Sequence, residues 1–162
     1  MFLFELLLYL ILFIASIRIV AAKGSLQVLF FYPEPVQKRV YELGLADEQT
    51  VKKRKKGFFM GLMAVVVLFP IICIGLINKI TNFKTAYLQA LLFLEVMNWF
   101  DGIFIDLLWV GKSKFWLIPQ AADLEYVKSL TCVFKERLMM SIVYVFAALL
   151  LAWIAVWLGK LL

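Results

Sequence analysis

Long apolar runs alternate along the chain with polar, charged stretches. Four runs reach the roughly 20 residues that a helix needs to cross a bilayer: 2–22, 58–78, 86–110 and 138–158. Between them lie polar connections at 23–57, 79–85 and 111–137. The pattern predicts an all-α fold. It is an integral membrane bundle of four transmembrane helices, a single membrane domain over 1–162, with amphipathic interfacial helices in the cytoplasmic connections. Val20-Ala21-Ala22 has the small residues of a cleavage site. No basic residue precedes the first run, however, and the positive charge follows it at Arg18 and Lys23. An uncleaved helix is therefore expected.

The connections carry patterns of their own. Ser25 to Tyr32 alternates weakly and reads as extended backbone. Val36, Val40 and Leu43 then fall on one helical face, Gly44 is placed to stop that helix, and Asp47 to cap the next. The capped helix is expected to run through Lys52, Lys53, Arg54, Lys55 and Lys56 into the second span. After Pro119, the residues Leu124, Val127, Thr131, Phe134 and Leu138 recur at helical spacing and predict an interfacial helix leading into the fourth span. Pro70 interrupts the second span, where it frees the carbonyl of Val66. Gly57 and Gly61 have a spacing that permits close helix approach. Ser141, Ala148, Ala152, Ala155 and Gly159 make a small-residue stripe on the fourth span.

Composition agrees with the bilayer as solvent. Hydrophobic residues are 65% of the chain, against about 45–50% in soluble domains. The formal charge of +6 does not point to nucleic acid, because the basic residues flank apolar runs. Counted as Lys and Arg, the first and third connections hold eight and five, and the second connection and the C-terminal tail hold two and one. The positive-inside rule then puts both termini outside and the two long connections in the cytoplasm, in a bacterial cytoplasmic membrane. Trp153 and Trp157 suit an interfacial belt at one end of the bundle, and Phe115 and Trp116 at the other. Lys52 to Lys56 read as an anchor on anionic headgroups.

The third run departs from this economy of charge. It contains Glu95, Asn98, Asp101 and Asp106, and each central acid costs roughly 2.5–3.5 kcal/mol on insertion. At about 100° per residue these side chains share one arc of roughly 140°. Gly102 and Trp109 lie within it, and Gly102 leaves room for a ligand or a neighbouring helix. The arc must face the bundle interior or a watery cleft. Arg18 and Tyr144 are the expected neighbours, with Arg18 placed to pair with Asp106. No Lys or Arg is expected at the depth of Glu95 and Asp101. At least one of them is then protonated or balanced by a bound cation.

The absence of histidine removes His-based metal sites, nucleophile–histidine pairs and histidine proton relays. Cys73 and Cys132 have neither redox-pair nor thiolate-site spacing, so no His- or Cys-ligated metal is expected. Asn98-x-x-Asp101-x-x-x-x-Asp106 departs in spacing from the aspartate-rich motifs of membrane prenyltransferases. Asp101-Gly102 lacks the rest of the CDP-alcohol phosphotransferase motif. Three functions fit what remains. The foremost is a transporter or channel component whose acidic arc binds a proton, a monovalent cation or a cationic substrate, within a homo-oligomer or larger membrane complex. The second is a Mg²⁺-dependent enzyme acting on a lipid or lipid-linked phosphate, with the metal on Asp101 and Asp106 and the phosphate met by Lys112 and Lys114. The third is a non-catalytic subunit that uses the polar face for assembly.

Overall fold

The computed structural model describes residues 1–22 and 24–161. Lys23, counted above with the first connection, lies outside the described residues. Among those described, regular structure is entirely helical. The long elements are α1 (Phe2–Ala21), α3 (Glu48–Ile77), α4 (83–110) and α5 (Leu130–Leu161), with a short α2 (Glu34–Glu42) in the first connection. Three of them, α1, α3 and α5, are long and apolar enough to cross a membrane. The fourth long helix, α4, carries the three acids and is less apolar. It packs chiefly against α5.

Local chemistry explains most boundaries. Asp47 caps α3 by accepting the Thr50 amide proton at 2.7 Å. Gly44, at φ +67°, supplies the left-handed turn after α2. α3 carries the basic cluster in its opening turns and continues unbroken into the apolar run, as expected. Pro70 has no N–H to donate, and the turns around it, Ala64–Leu68 and Ile72–Ile77, are wound as π-helix. Asn82 caps α4 through the Thr85 amide at 3.0 Å.

Three local expectations are corrected. Ser25–Phe31 is 3-10 helix broken at Val28, not extended chain. Val28, Leu29 and Phe30 are buried in succession, which an alternating strand does not permit. The interfacial helix after Pro119 does not form as a unit. Lys114–Trp116 and Pro119–Ala121 are single 3-10 turns, and α5 starts only at Leu130, where the Ser129 hydroxyl accepts from the Cys132 amide. Gly57 and Gly61 have no side chain or neighbouring helix against them.

The close approach falls elsewhere. A Cβ at Gly75 would lie 2.6 Å from the Ala155 carbonyl oxygen, and one at Gly159 would lie 3.2 Å from that of Gly75. The stripe Ala148, Ala152, Ala155 and Gly159 is buried, and it lets α3 and α5 touch along Ile72–Ile77. Below this contact, toward the end that carries the two long connections (the basic end), α3 and α5 part. The connections close that end. The Tyr32 hydroxyl donates to the Trp116 carbonyl at 2.8 Å, and Arg39 bonds Asp123. Trp116 is therefore buried within an aromatic cluster with Phe31, Tyr32 and Trp109, and does not serve an interfacial belt. Trp153 and Trp157 are exposed on the outer face of α5.

Candidate functional site

Where α3 and α5 part, a cavity of about 380 Å³ opens beside α4. One wall is apolar: Phe58, Phe59, Leu62, Met63 and Val66 from α3, with Phe13 and Ile17 from α1. The facing wall is polar, formed by Asn98, Asp101 and Asp106 of α4, Lys128, and Arg137 and Tyr144 of α5. Tyr32, Trp116 and Tyr126 cover the basic end. Phe59, Met63 and Met140 line the cavity yet remain partly exposed at the surface of the bundle. Its mouth is therefore edged with apolar side chains.

Arg137 organises the polar wall. One terminal nitrogen, Nη1, lies 2.8 Å from Asp101 Oδ2, and the other, Nη2, lies 2.7 Å from Asp106 Oδ2. Lys128 reaches Asp106 at 3.6 Å and Glu136 at 2.6 Å. Burial pulls the Lys128 ammonium down, but the hydrogen bond to Glu136 and the charge of Asp106 outweigh it and hold the group above the usual lysine range. Asn98 Nδ2 donates to the Arg137 carbonyl at 3.0 Å and to the Ser141 hydroxyl at 3.2 Å. Ser141 in turn donates to Glu95 at 2.6 Å.

Backbone geometry makes the double pairing possible. In an α-helix, residues five apart are separated by about 140° around the axis. Asp101–Val110 is instead π-helix, whose bonds join residues five apart and so stack them on nearly one face. Asp101 and Asp106 are five apart, and a single guanidinium spans them. Gly102 supplies the room. A Cβ there would fall 2.8 Å from Arg137 Cγ and 2.9 Å from its Nε. The gap expected at Gly102 is filled by the arginine of the neighbouring helix.

Two expectations about charge are corrected here. Asp101 does have a basic partner at its own depth. The apolar run begins only at 138, whereas the helix begins at Leu130 and carries Arg137 inside the bundle. Arg18 does not pair with Asp106. Its guanidinium lies 5.3 Å from the Trp109 ring centroid, and Asp106 is taken by Arg137 and Lys128.

The remaining candidates divide. Asn98, Asp101, Asp106 and Tyr144 share the cavity with Arg137, while Glu95 borders a separate shallow groove with Trp99, Phe100 and Phe104. Glu95 is tied to the cluster through Ser141. Lys112 and Lys114 are exposed and absent from the cavity wall. Lys52 pairs with Glu48 at 2.7 Å, and Lys53, Arg54, Lys55 and Lys56 contribute nothing to the cavity. Among the described residues, no three carboxylate or thiol side chains converge as a metal-binding group would. A signal for Arg137 was present in the sequence. The small-residue stripe, continued backwards at helical spacing from Ala148, passes through Tyr144, Ser141 and Arg137. No protein family, no curated protein and no solved structure matches this chain.

Proposed function

We propose that this is a four-span membrane protein that binds the polar end of an amphiphile drawn from the cytoplasmic leaflet, as the substrate site of a transporter or membrane enzyme. In this reading α4 is the fourth span, both termini lie outside and the long connections are cytoplasmic. The observation that carries the reading is the cavity itself. It joins an apolar, partly exposed mouth to a wall bearing Asp101, Arg137, Asp106 and Lys128. Such a volume lies within the range of about 300–1,000 Å³ usual for ligand sites, whose few polar groups fix orientation. Intramembrane ionisable residues ordinarily mark substrate or ion pathways. The test is retention of lipid through purification, read by native mass spectrometry. Wild type is expected to carry bound lipid, and Leu62→Trp, which fills the apolar wall, to lose it. Equal retention by both would remove the proposal.

A path for protons or a monovalent cation has one observation of its own. Glu5, at the opposite end of the bundle, is buried and, among the described residues, receives only the Asn78 amide, at 3.0 and 3.1 Å. A path would use Glu5 and Asp101 in series. Flux into proteoliposomes is then expected to fall in both Glu5→Gln and Asp101→Asn, and unchanged flux in both would end this reading.

A further inference from the structure

Resting on the amphiphile reading above, we infer that the cavity is selective for a zwitterionic headgroup carrying both a primary ammonium and a phosphate, in preference to an anionic one. The first ground is charge balance. The cavity wall holds Asp101 and Asp106 against Lys128 and Arg137, paired at 2.7 to 3.6 Å. Lys128 is also held by Glu136 at 2.6 Å, so the linked groups set three carboxylates against two bases, and a ligand of net negative charge would add like charge to a site withdrawn from water, which is costly. A zwitterion adds none.

The second ground is unspent hydrogen-bonding capacity. Three side chains of the cavity wall contain a buried polar atom with no partner: Asn98 Oδ1, Trp116 Nε1 and Arg137 Nε. Asn98 is 1% exposed and Trp116 2%. Orphaned groups this deep are rare in proteins. Arg137 Nε lies against Gly102, where a Cβ would meet it at 2.9 Å, so the acceptor Asn98 Oδ1 and the donor Trp116 Nε1 are the two that call for a ligand that both donates and accepts. Their distribution is ordered. Trp116 Nε1 and the Lys128 ammonium are donors, and both residues sit toward the basic end. Asn98 Oδ1 and the carboxylates of Asp101 and Asp106 are acceptors. The Arg137 and Lys128 contacts all fall on Oδ2 of the two aspartates, which leaves each carboxylate further acceptor capacity. A phosphate is matched by the donors and an ammonium by the acceptors.

The third ground is the mouth. Phe59, Met63 and Met140 are 41%, 50% and 36% exposed. The opening between α3 and α5 is thus lined for hydrocarbon, so acyl chains remain in the bilayer while the headgroup enters.

The test uses the full-length protein in nanodiscs holding equal amounts of phosphatidylethanolamine, phosphatidylcholine and phosphatidylglycerol with identical chains. Lipids retained after detergent extraction are counted by native mass spectrometry. Phosphatidylethanolamine is expected about tenfold enriched over phosphatidylglycerol, the scale of one charge-assisted hydrogen bond. It is also expected over phosphatidylcholine, whose quaternary ammonium has no N–H. Enrichment of phosphatidylglycerol, or equal retention of phosphatidylcholine and phosphatidylethanolamine, would overturn the inference. Asp101→Asn with Arg137→Gln leaves the net charge of the wall unchanged while removing the Asp101–Arg137 pair, and is expected to erase the preference while keeping lipid. A preference that survives this pair would also overturn the inference. Retention that disappears with Leu62→Trp but shows no headgroup preference defeats the selectivity alone. Retention indifferent to Leu62→Trp defeats the binding site as well.

Discussion

Arg137 is held at both ends of its side chain. Its guanidinium bridges Asp101 and Asp106, its stem lies over Gly102, and its carbonyl accepts from Asn98. Removing one partner of a buried pair leaves the others uncompensated, at a cost of about 3 kcal/mol. Arg137→Gln is therefore expected to lower the thermal midpoint in detergent markedly. Asp101→Asn and Asp106→Asn, added to Arg137→Gln, are expected to recover much of the loss. A triple variant no more stable than Arg137→Gln would show that the loss comes from packing instead of charge. Gly102→Ala tests the same arrangement by shape. Its methyl group would meet the arginine stem below 3 Å, so Arg137 must shift and at least one of its two bridges must lengthen. A midpoint equal to wild type would mean that the arginine yields without loss. The acidic half of this site was legible in the sequence, because Glu95, Asn98, Asp101 and Asp106 stand out in an apolar run. The basic half was hidden by the habit of ending a span where apolar residues end. Arg137 lies one residue before that boundary, and the helix ignores it.

At the scale of elements, winding decides what sequence spacing alone does not. The arc on α4 reads as roughly 140° wide only if every turn is α-helical. The π-helix over Asp101–Val110 narrows it at the point where two like charges must share one partner. Nothing in the residue types of this segment signals the change, since it depends on what packs opposite. The interruption of regular winding in α3 was legible, because Pro70 cannot donate and its neighbours must re-pair. The helix contact that the glycines serve was misplaced, because Gly57 and Gly61 carry the familiar spacing but face no helix, whereas the isolated Gly75 meets the small-residue stripe of α5. That contact is the pivot from which α3 and α5 diverge to open the cavity. Gly75→Val puts bulk where a Cβ alone would sit 2.6 Å from backbone, and backbone cannot swing aside as a side chain can. The overpacking cost is about 1–3 kcal/mol. Gly61→Val, with open space around it, is expected to be neutral. Thermal midpoints measured side by side check the contrast, and equal effects at the two positions would show that the α3–α5 contact is not close.

The whole molecule turns on whether α4 crosses the bilayer. Three helices meet the length and hydropathy of a span without it. A chain that crossed three times would place its two termini on opposite sides. The four-span reading rests on packing: α4 lies along α5, contacts α1 and α3, and buries Ala90, Phe93, Leu94 and Met97 among them. Leaving the membrane would strip those residues of partners and separate Asp101 from Arg137. Two cysteines of opposite exposure make the arrangement measurable. Cys73 is buried in α3, and Cys132 is exposed near the start of α5. A membrane-impermeant maleimide is expected to label Cys132 in inverted vesicles and to spare it in right-side-out cells. In a Cys132→Ser background, Lys84→Cys, exposed at the start of α4, is expected to label from the opposite side. The pair places the two ends of α4 across the membrane from one another. Labelling of both positions from one side would bring α4 out of the bilayer, and would take with it the cavity wall that Asp101 and Asp106 form.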